Sequence, residues 1–189
     1  MTKNIAKKWR GKRMTKKPIV VNSDIKLDPL LDSDTEIIFA LIENNRPLLE
    51  KYLYWAKLVV DLPTTEKYIA DRVFSNSFGA SWYKIHYSDK VVGIFGIKEI
   101  DLKKQNAEIG YWLCKSCHGN GIVTRIVNKI SSYLKDLHDI QALKIHCLSE
   151  NSASIAVAER VGGVHSETIP NYYSIDGIFQ DLKIYTVPT

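Results

Sequence analysis

The residues with the most chemical promise lie between positions 106 and 186. Gly119-Asn120-Gly121 stands directly ahead of Ile122, where apolar residues begin to recur at helical spacing. A glycine loop that opens a helix leaves backbone N–H groups free to cradle a phosphate. Glycine also lets the backbone approach a ligand with no Cβ in the way. Further along, Asn151 and Ser154 open a second, shorter helical stretch that Gly162 ends. These polar groups fall near the glycine loop if the two helices follow neighbouring strands. The order strand, glycine loop, helix, strand, Asn-containing loop, helix suggests an enzyme that holds a phosphorylated acyl carrier.

The elements that must position these residues follow from the hydrophobic pattern. Residues 19–29 alternate as a first strand, and Ser33 or Asp34 caps a helix from about Thr35, with Ile37, Ile38, Leu41 and Ile42 on one face. A second helical stretch at 47–54 leads into Trp55, and Pro63-Thr64-Thr65-Glu66 starts another helix that ends near Ser77, before Gly79. Residues 80–87 and 91–100 form strands joined by the tight turn Ser88-Asp89-Lys90, and 106–113 adds a third antiparallel strand. Ile122, Ile126, Ile130, Tyr133, Leu134 and Leu137 trace the buried stripe of a long helix. Leu143, Ile145 and Cys147 alternate with Lys144 and His146 as a strand does, and strands recur at 164–169 and 179–186. The content is α/β and the arrangement α+β, with helices flanking a mostly antiparallel sheet.

A chain of 189 residues holds one well-buried domain, here 19–189, and its 45% apolar and 25% charged residues are ordinary for a globular protein. No apolar run reaches the length of a membrane span, and the N-terminus lacks the apolar core of a signal peptide. Cys114, Cys117 and Cys147 cannot all pair, which favours reduced thiols and a cytoplasmic setting. Cys114 and Cys117 form a C-x-x-C without the second pair that a zinc site needs, and the histidine spacing argues for no metal. The net charge of +5 is concentrated at one end. Residues 1–18 hold eight of the 26 Lys and Arg and no acid, so the remainder carries 18 basic against 21 acidic residues. This stretch reads as a solvated tail, or the linker from an upstream domain, rather than a nucleic-acid-binding arm.

Six landmarks in register give the chain a family resemblance over about residues 19–187. They are Ala107-Glu108-Ile109-Gly110-Tyr111-Trp112-Leu113, Gly119-Asn120-Gly121-Ile122, Asn151-x-x-Ser154, Gly162, Asp181, and Leu53-Tyr54-Trp55 followed by Thr64-Thr65-Glu66. With these the sequence resembles the GNAT superfamily of N-acetyltransferases, and within it the RimL-type ribosomal-protein N-terminal acetyltransferases. It departs from the superfamily pattern at His118, Val123 and Gly163, and at Ala158, where a general-acid Tyr is often found.

The resemblance implies acetyl-CoA, with no metal, lodged between two parallel strands that splay apart near Leu113 and Leu148. It implies pyrophosphate binding by the backbone of His118, Gly119, Asn120, Gly121, Ile122 and Val123, and a pantetheine or backbone contact from Asn151. A backbone N–H near Leu113 would stabilise the oxyanion. Ser154 is the candidate acid for the departing thiolate, and Glu108 is either the base for the amine or a salt-bridged strand residue. Cys147 reads as an inert core thiol, so direct transfer in a ternary complex is expected.

The acceptor is a primary amine of one of two kinds. The first is a protein N-terminus. The second is an aminoacyl-nucleotide, because the chain is also similar to the acetyltransferase domains that give self-immunity to microcin C. Trp55 belongs to an aromatic-rich acceptor half, in which Trp82 and Phe95, on adjacent strands, could clamp a nucleobase if they are not core residues. A CoA-binding regulatory protein or a ribosome- or nucleic-acid-binding module without turnover is the alternative from another class.

Overall fold

Strand alternation and helix stripes sort the chain into a single sheet covered on both faces. The computed structural model describes residues 17–175 and 177–189, so the basic tail lies almost wholly outside the described residues. Eight strands run in the order β1-β2-β3-β4-β5-β6-β8-β7. They are β1 (Ile19–Val20), β2 (Ile25–Pro29), β3 (Ser81–Tyr87), β4 (Lys90–Asp101), β5 (Asn106–Leu113), β6 (Ala142–Leu148), β7 (Val164–Ile175) and β8 (Ile178–Pro188). Every neighbouring pair is antiparallel except β5 and β6. Helices α1 (Thr35–Glu43), α2 (Arg46–Glu50) and α3 (Leu62–Val73) pack on one face, and α4 (Ile122–His138) and α5 (Ser152–Arg160) on the other.

Side chains alternate across the sheet. Ala107, Ile109 and Leu113 of β5 join Leu143, Ile145 and Cys147 of β6 in a core with Ile122, Ile126 and Ile130 of α4. Trp112 and Ile94 face the other way, into the cluster of Ile38, Ile42, Tyr68 and Ile69 from α1 and α3. Glu108 and Gly110 share the parity of Trp112, so they belong to this second face, called the acceptor face below.

Several expected boundaries shift for local reasons. The expected first strand is two short ones, because the Asn22 side chain accepts the amides of Asp24 (3.0 Å) and Ile25 (2.7 Å) and turns the chain. Asp34 occupies the cap position of α1, but its carboxylate takes the Leu31 amide (2.7 Å) and the Lys84 ammonium (2.6 Å) instead of capping. Helix α3 starts one residue before Pro63, capped by Asp61 through the Thr64 amide, and stops at Val73 rather than near Ser77. The turn between β3 and β4 is two residues, Ser88 and Asp89, both with positive φ.

Candidate active site

The site is opened by a failure of pairing. Strands β5 and β6 are in register from Asn106↔Ala142 to Ile109↔Ile145 and no further, although β5 runs on to Leu113 and β6 to Leu148. Beyond Ile109 the two strands diverge, as expected for splayed parallel strands. Cys114 donates its amide to the Val92 carbonyl at 2.8 Å. Hydrogen-bonded pairs alternate along an antiparallel ladder, so the amides of Tyr111 and Leu113 point away from β4, into the gap. The expected oxyanion donor at Leu113 is therefore directed into the opening.

A cleft of about 760 Å³ fills this gap. Its walls include Leu113, His118, Gly119, Asn120, Gly121, Ile122, Val123, Asn151 and Ser154, which brings the expected cofactor-binding residues and one expected catalytic residue together. The side chains of Ile122 and Val123 are buried in the core, so these residues give the cleft mainly their backbone. Gly119 and Gly121 have φ of +79° and +65°, and a Cβ on either would meet nothing within 4 Å. Space that a side chain could fill is left open beside a helix N-terminus, which is the shape a phosphate cradle requires. Among the described residues, the amides from Gly119 to Thr124 have no acceptor within the protein. His118 is a correction. Its amide already donates to the Lys115 carbonyl (3.2 Å), and its Nε2 lies 3.3 Å from the Leu113 carbonyl, so it shapes the loop rather than offering an N–H.

Across the cleft, Asn151 caps α5 by accepting the Ser154 amide at 3.2 Å. This fixes the first turn of α5 and the position of the Ser154 hydroxyl. The Cys147 thiol donates to Ser154 Oγ at 3.2 Å, and the Tyr111 hydroxyl lies 3.0 Å from the same oxygen. Burial pushes the Tyr111 hydroxyl well above its ordinary value and raises the Cys147 thiol, so both groups keep their protons. Tyr111 is a residue that sequence reasoning missed. The signal was strand parity, since Tyr111 shares a face with Ile109 and Leu113 and so points toward α5. Ala158, where the family often has a tyrosine, is wholly buried, and the tyrosine hydroxyl beside Ser154 comes from β5.

Glu108 lies outside the cleft, on the acceptor face. Its carboxylate pairs with the Lys98 ammonium and stands 3.4 Å from His146 Nδ1. Burial holds the His146 imidazole below its ordinary pKa, against the opposite pull of Glu108. Glu108 is thus ion-paired, on the face of the sheet opposite α4 and α5.

The expected aromatic clamp does not form. A two-residue turn at Ser88-Asp89 would set Trp82 opposite Phe95, but a bulge between Ile85 and His86 shifts the register by one residue. Trp82 then pairs with Gly96, and Phe95 turns to the other face, where it is fully buried in the core. A one-residue slip reverses the face of every side chain beyond it. Trp55 stays on the acceptor face, its ring 4.4 Å from Tyr68 and 6.0 Å from Trp112. The cleft also recruits the landmark residue Leu53, together with Leu49 and Tyr52 from the α2 region and Arg125 and Arg160 from α4 and α5, four residues that local sequence does not single out. Cys114 and Cys117 are free thiols, and no three His, Cys, Asp or Glu side chains among the described residues gather as metal ligands. No helix among the described residues is long and apolar enough to cross a membrane.

Splayed parallel strands, a glycine loop at a helix N-terminus and a polar residue across the gap define an acetyltransferase of the GNAT type. Residues 24–164 match the acetyltransferase (GNAT) domain family, and the chain belongs to it. It is an acetyl-CoA-dependent N-acetyltransferase. Among proteins of known role it is similar to the ribosomal-protein-serine acetyltransferase of Escherichia coli, 24% identical over 88% of this chain and 94% of that one. Among solved structures it resembles the microcin self-immunity acetyltransferase MccE in complex with acetyl-CoA and AMP. That pair is 27% identical with a TM-score of 0.84, over 93% of this chain and 98% of the other. RimL, a ribosomal α-N-protein acetyltransferase in complex with coenzyme A, shares the fold with a TM-score of 0.84 at 24% identity, over 90% and 97% of the two chains.

Proposed function

We propose that this enzyme acetylates the N-terminal α-amine of a protein or peptide by direct attack in a ternary complex. The observation that carries the reading is the placement of Trp82 and Phe95 on opposite faces of the sheet, which removes a two-sided clamp for a planar base. In its place the Trp82 ring lies over Gly96, and the Lys98 side chain lies beside Gly110 on the next strand. The likeness to the ribosomal-protein-serine acetyltransferase supports the same acceptor class. A second reading, transfer to an aminoacyl-nucleotide as in self-immunity, is favoured by the likeness to MccE and by Trp82, which is half-exposed and could stack one face of a base.

Acetyl-CoA supplies a thioester whose acetyl group is transferred. The amides of Gly119 to Thr124 receive its pyrophosphate at the N-terminus of α4, helped by the helix dipole. The Leu113 amide donates to the developing oxyanion. Ser154 Oγ receives the Cys147 thiol proton, and with the Tyr111 hydroxyl also turned to donate to it, the serine's own proton is the one left for the departing thiolate. Glu108 takes the amine proton, directly or through water. Glu108→Gln should lower kcat by about tenfold or more, measured by thiol release across pH. An unimpaired rate at every pH would remove Glu108 as the base and leave it as the partner of Lys98.

The acceptor class is tested by incubating the enzyme with acetyl-CoA and a peptide with one free α-amine and no lysine. A mass gain of one acetyl on the N-terminal residue is expected. No transfer to peptide, with transfer to an aminoacyl-nucleotide analogue, would contradict the reading.

A further inference from the structure

On the acceptor face, α3 carries Arg72 into a box of aromatic rings. Its guanidinium carbon lies 3.4 Å from the centroid of Tyr68, 4.9 Å from Trp82 and 5.6 Å from Trp55. Nη1 donates to the Tyr68 carbonyl at 2.7 Å. On the opposite edge Nε is buried without a hydrogen-bond partner, and among the described residues no carboxylate forms an ion pair with this arginine. Its chain neighbour Asp71 is exposed and forms no ion pair with it. Burial pushes the guanidinium below its ordinary pKa, against the weaker opposite pulls of Tyr68, Tyr54 and Asp71. Three π faces offset part of that cost. They do not satisfy the N–H edge, and packing alone would be served as well by an apolar side chain.

The box is tied to the site. Trp112, which lines the cleft, donates its indole N–H to the Tyr68 hydroxyl at 3.2 Å. Trp82 lies over Gly96 closely enough that a Cβ there would come within 2.4 Å of its ring, and Gly96 is opposite Gly110. Two strand spacings, roughly 10 Å, therefore separate Trp82 from the strand that carries Glu108. That span is about three extended residues.

We propose that Arg72 is an acceptor-recognition residue whose Nε/Nη2 edge receives a carboxylate carried within the first few residues of the acceptor. A side-on fork of two N–H groups matches the two oxygens of a carboxylate, and an ammonium could not reproduce it. The assignment rests on the peptide reading above. A nucleotide phosphate presents the same oxyanion chemistry and is distinguished below.

The test uses the full chain, acetyl-CoA, and two peptides that differ only in having glutamate or glutamine at their third and fourth positions. The enzyme is expected to favour the glutamate peptide by about ten- to a hundredfold in kcat/KM, the range for a hydrogen bond to a charged group. Added salt should shrink that preference. Arg72→Met should bring the ratio of the two peptides to about one, and Arg72→Lys should restore only part of it. Coenzyme A binding by each variant reports a folded protein. If Arg72→Met does not fold, the two peptides on the unmodified enzyme still decide.

Equal kcat/KM for the two peptides, or a preference unchanged in Arg72→Met, would overturn the assignment. Inhibition by AMP but not adenosine, lost in Arg72→Met and without a preference among peptides, would replace the carboxylate with a phosphate and overturn it too. If both peptides are acetylated equally, only the role of Arg72 fails. If neither is acetylated, the peptide reading fails and this assignment with it.

Discussion

Gly121→Val is expected to reduce acetyl-CoA affinity by at least about a hundredfold, or ~2.7 kcal/mol, while the protein stays folded. Two physical effects combine at this position. Gly121 has φ +65° at the cap of α4, a region where a β-branched residue is a severe outlier. The backbone can relieve that strain only by rotating, and rotation turns the N-terminal amides of α4 away from the cleft. If the backbone holds instead, the new side chain occupies space now open beside the helix N-terminus, where the phosphates must approach. Either route removes the cradle. Gly121→Ala should show a smaller loss, because a single methyl strains the turn less and fills less of the cleft. Titration calorimetry with coenzyme A checks the affinity, and far-UV circular dichroism checks the fold. Unchanged affinity in Gly121→Val would place the pyrophosphate elsewhere.

Ser154→Ala is expected to lower kcat by about 10²–10³-fold, within the range for loss of a positioned acid, with coenzyme A affinity within a few-fold of the parent. The hydroxyl is held from three sides. Asn151 fixes the Ser154 amide, the Cys147 thiol donates to the oxygen at 3.2 Å, and Tyr111 reaches it at 3.0 Å. The Cys147 thiol and the Tyr111 hydroxyl stay protonated because burial raises both. An alanine there removes the acceptor of the Cys147 thiol and leaves the Tyr111 hydroxyl beside the vacated position. Steady-state kinetics with saturating acetyl-CoA separates the effects: a fall in kcat at constant affinity supports the acid role. A fully active variant would end it and point to water or Tyr111 as the proton source.

What the sequence made legible was local. The glycine loop, the Asn151–Ser154 pair and the long helix stripe each lie within one stretch of chain; the first two line the cleft and the stripe is buried in the core. The splay of β5 and β6 was legible only through the family resemblance, since pairing of distant strands leaves no local mark. The aromatic clamp failed on a single residue. Without the bulge at Ile85/His86, Trp82 would oppose Phe95; with it, Trp82 opposes Gly96 and Phe95 is buried. Nothing in the run from Trp82 to Phe95 announces that bulge, because turn residues show where a hairpin bends and not where an extra residue is accommodated. Tyr111 shows the converse. Its face was available from strand alternation, but its partner Ser154 lies 43 residues away and on a helix. Glu108 was legible in position, while its pairing with Lys98 depended on the register of β4 against β5.

The most direct test of the account is thiol release from acetyl-CoA by the unmodified enzyme, run in parallel with a free-N-terminus peptide and a non-hydrolysable aminoacyl-adenylate. The geometry of the acceptor face predicts turnover on the peptide, with the acetyl group on its α-amine and little or none on the adenylate. Turnover on the adenylate alone would contradict it, and would assign the acceptor face to a nucleotide despite the burial of Phe95.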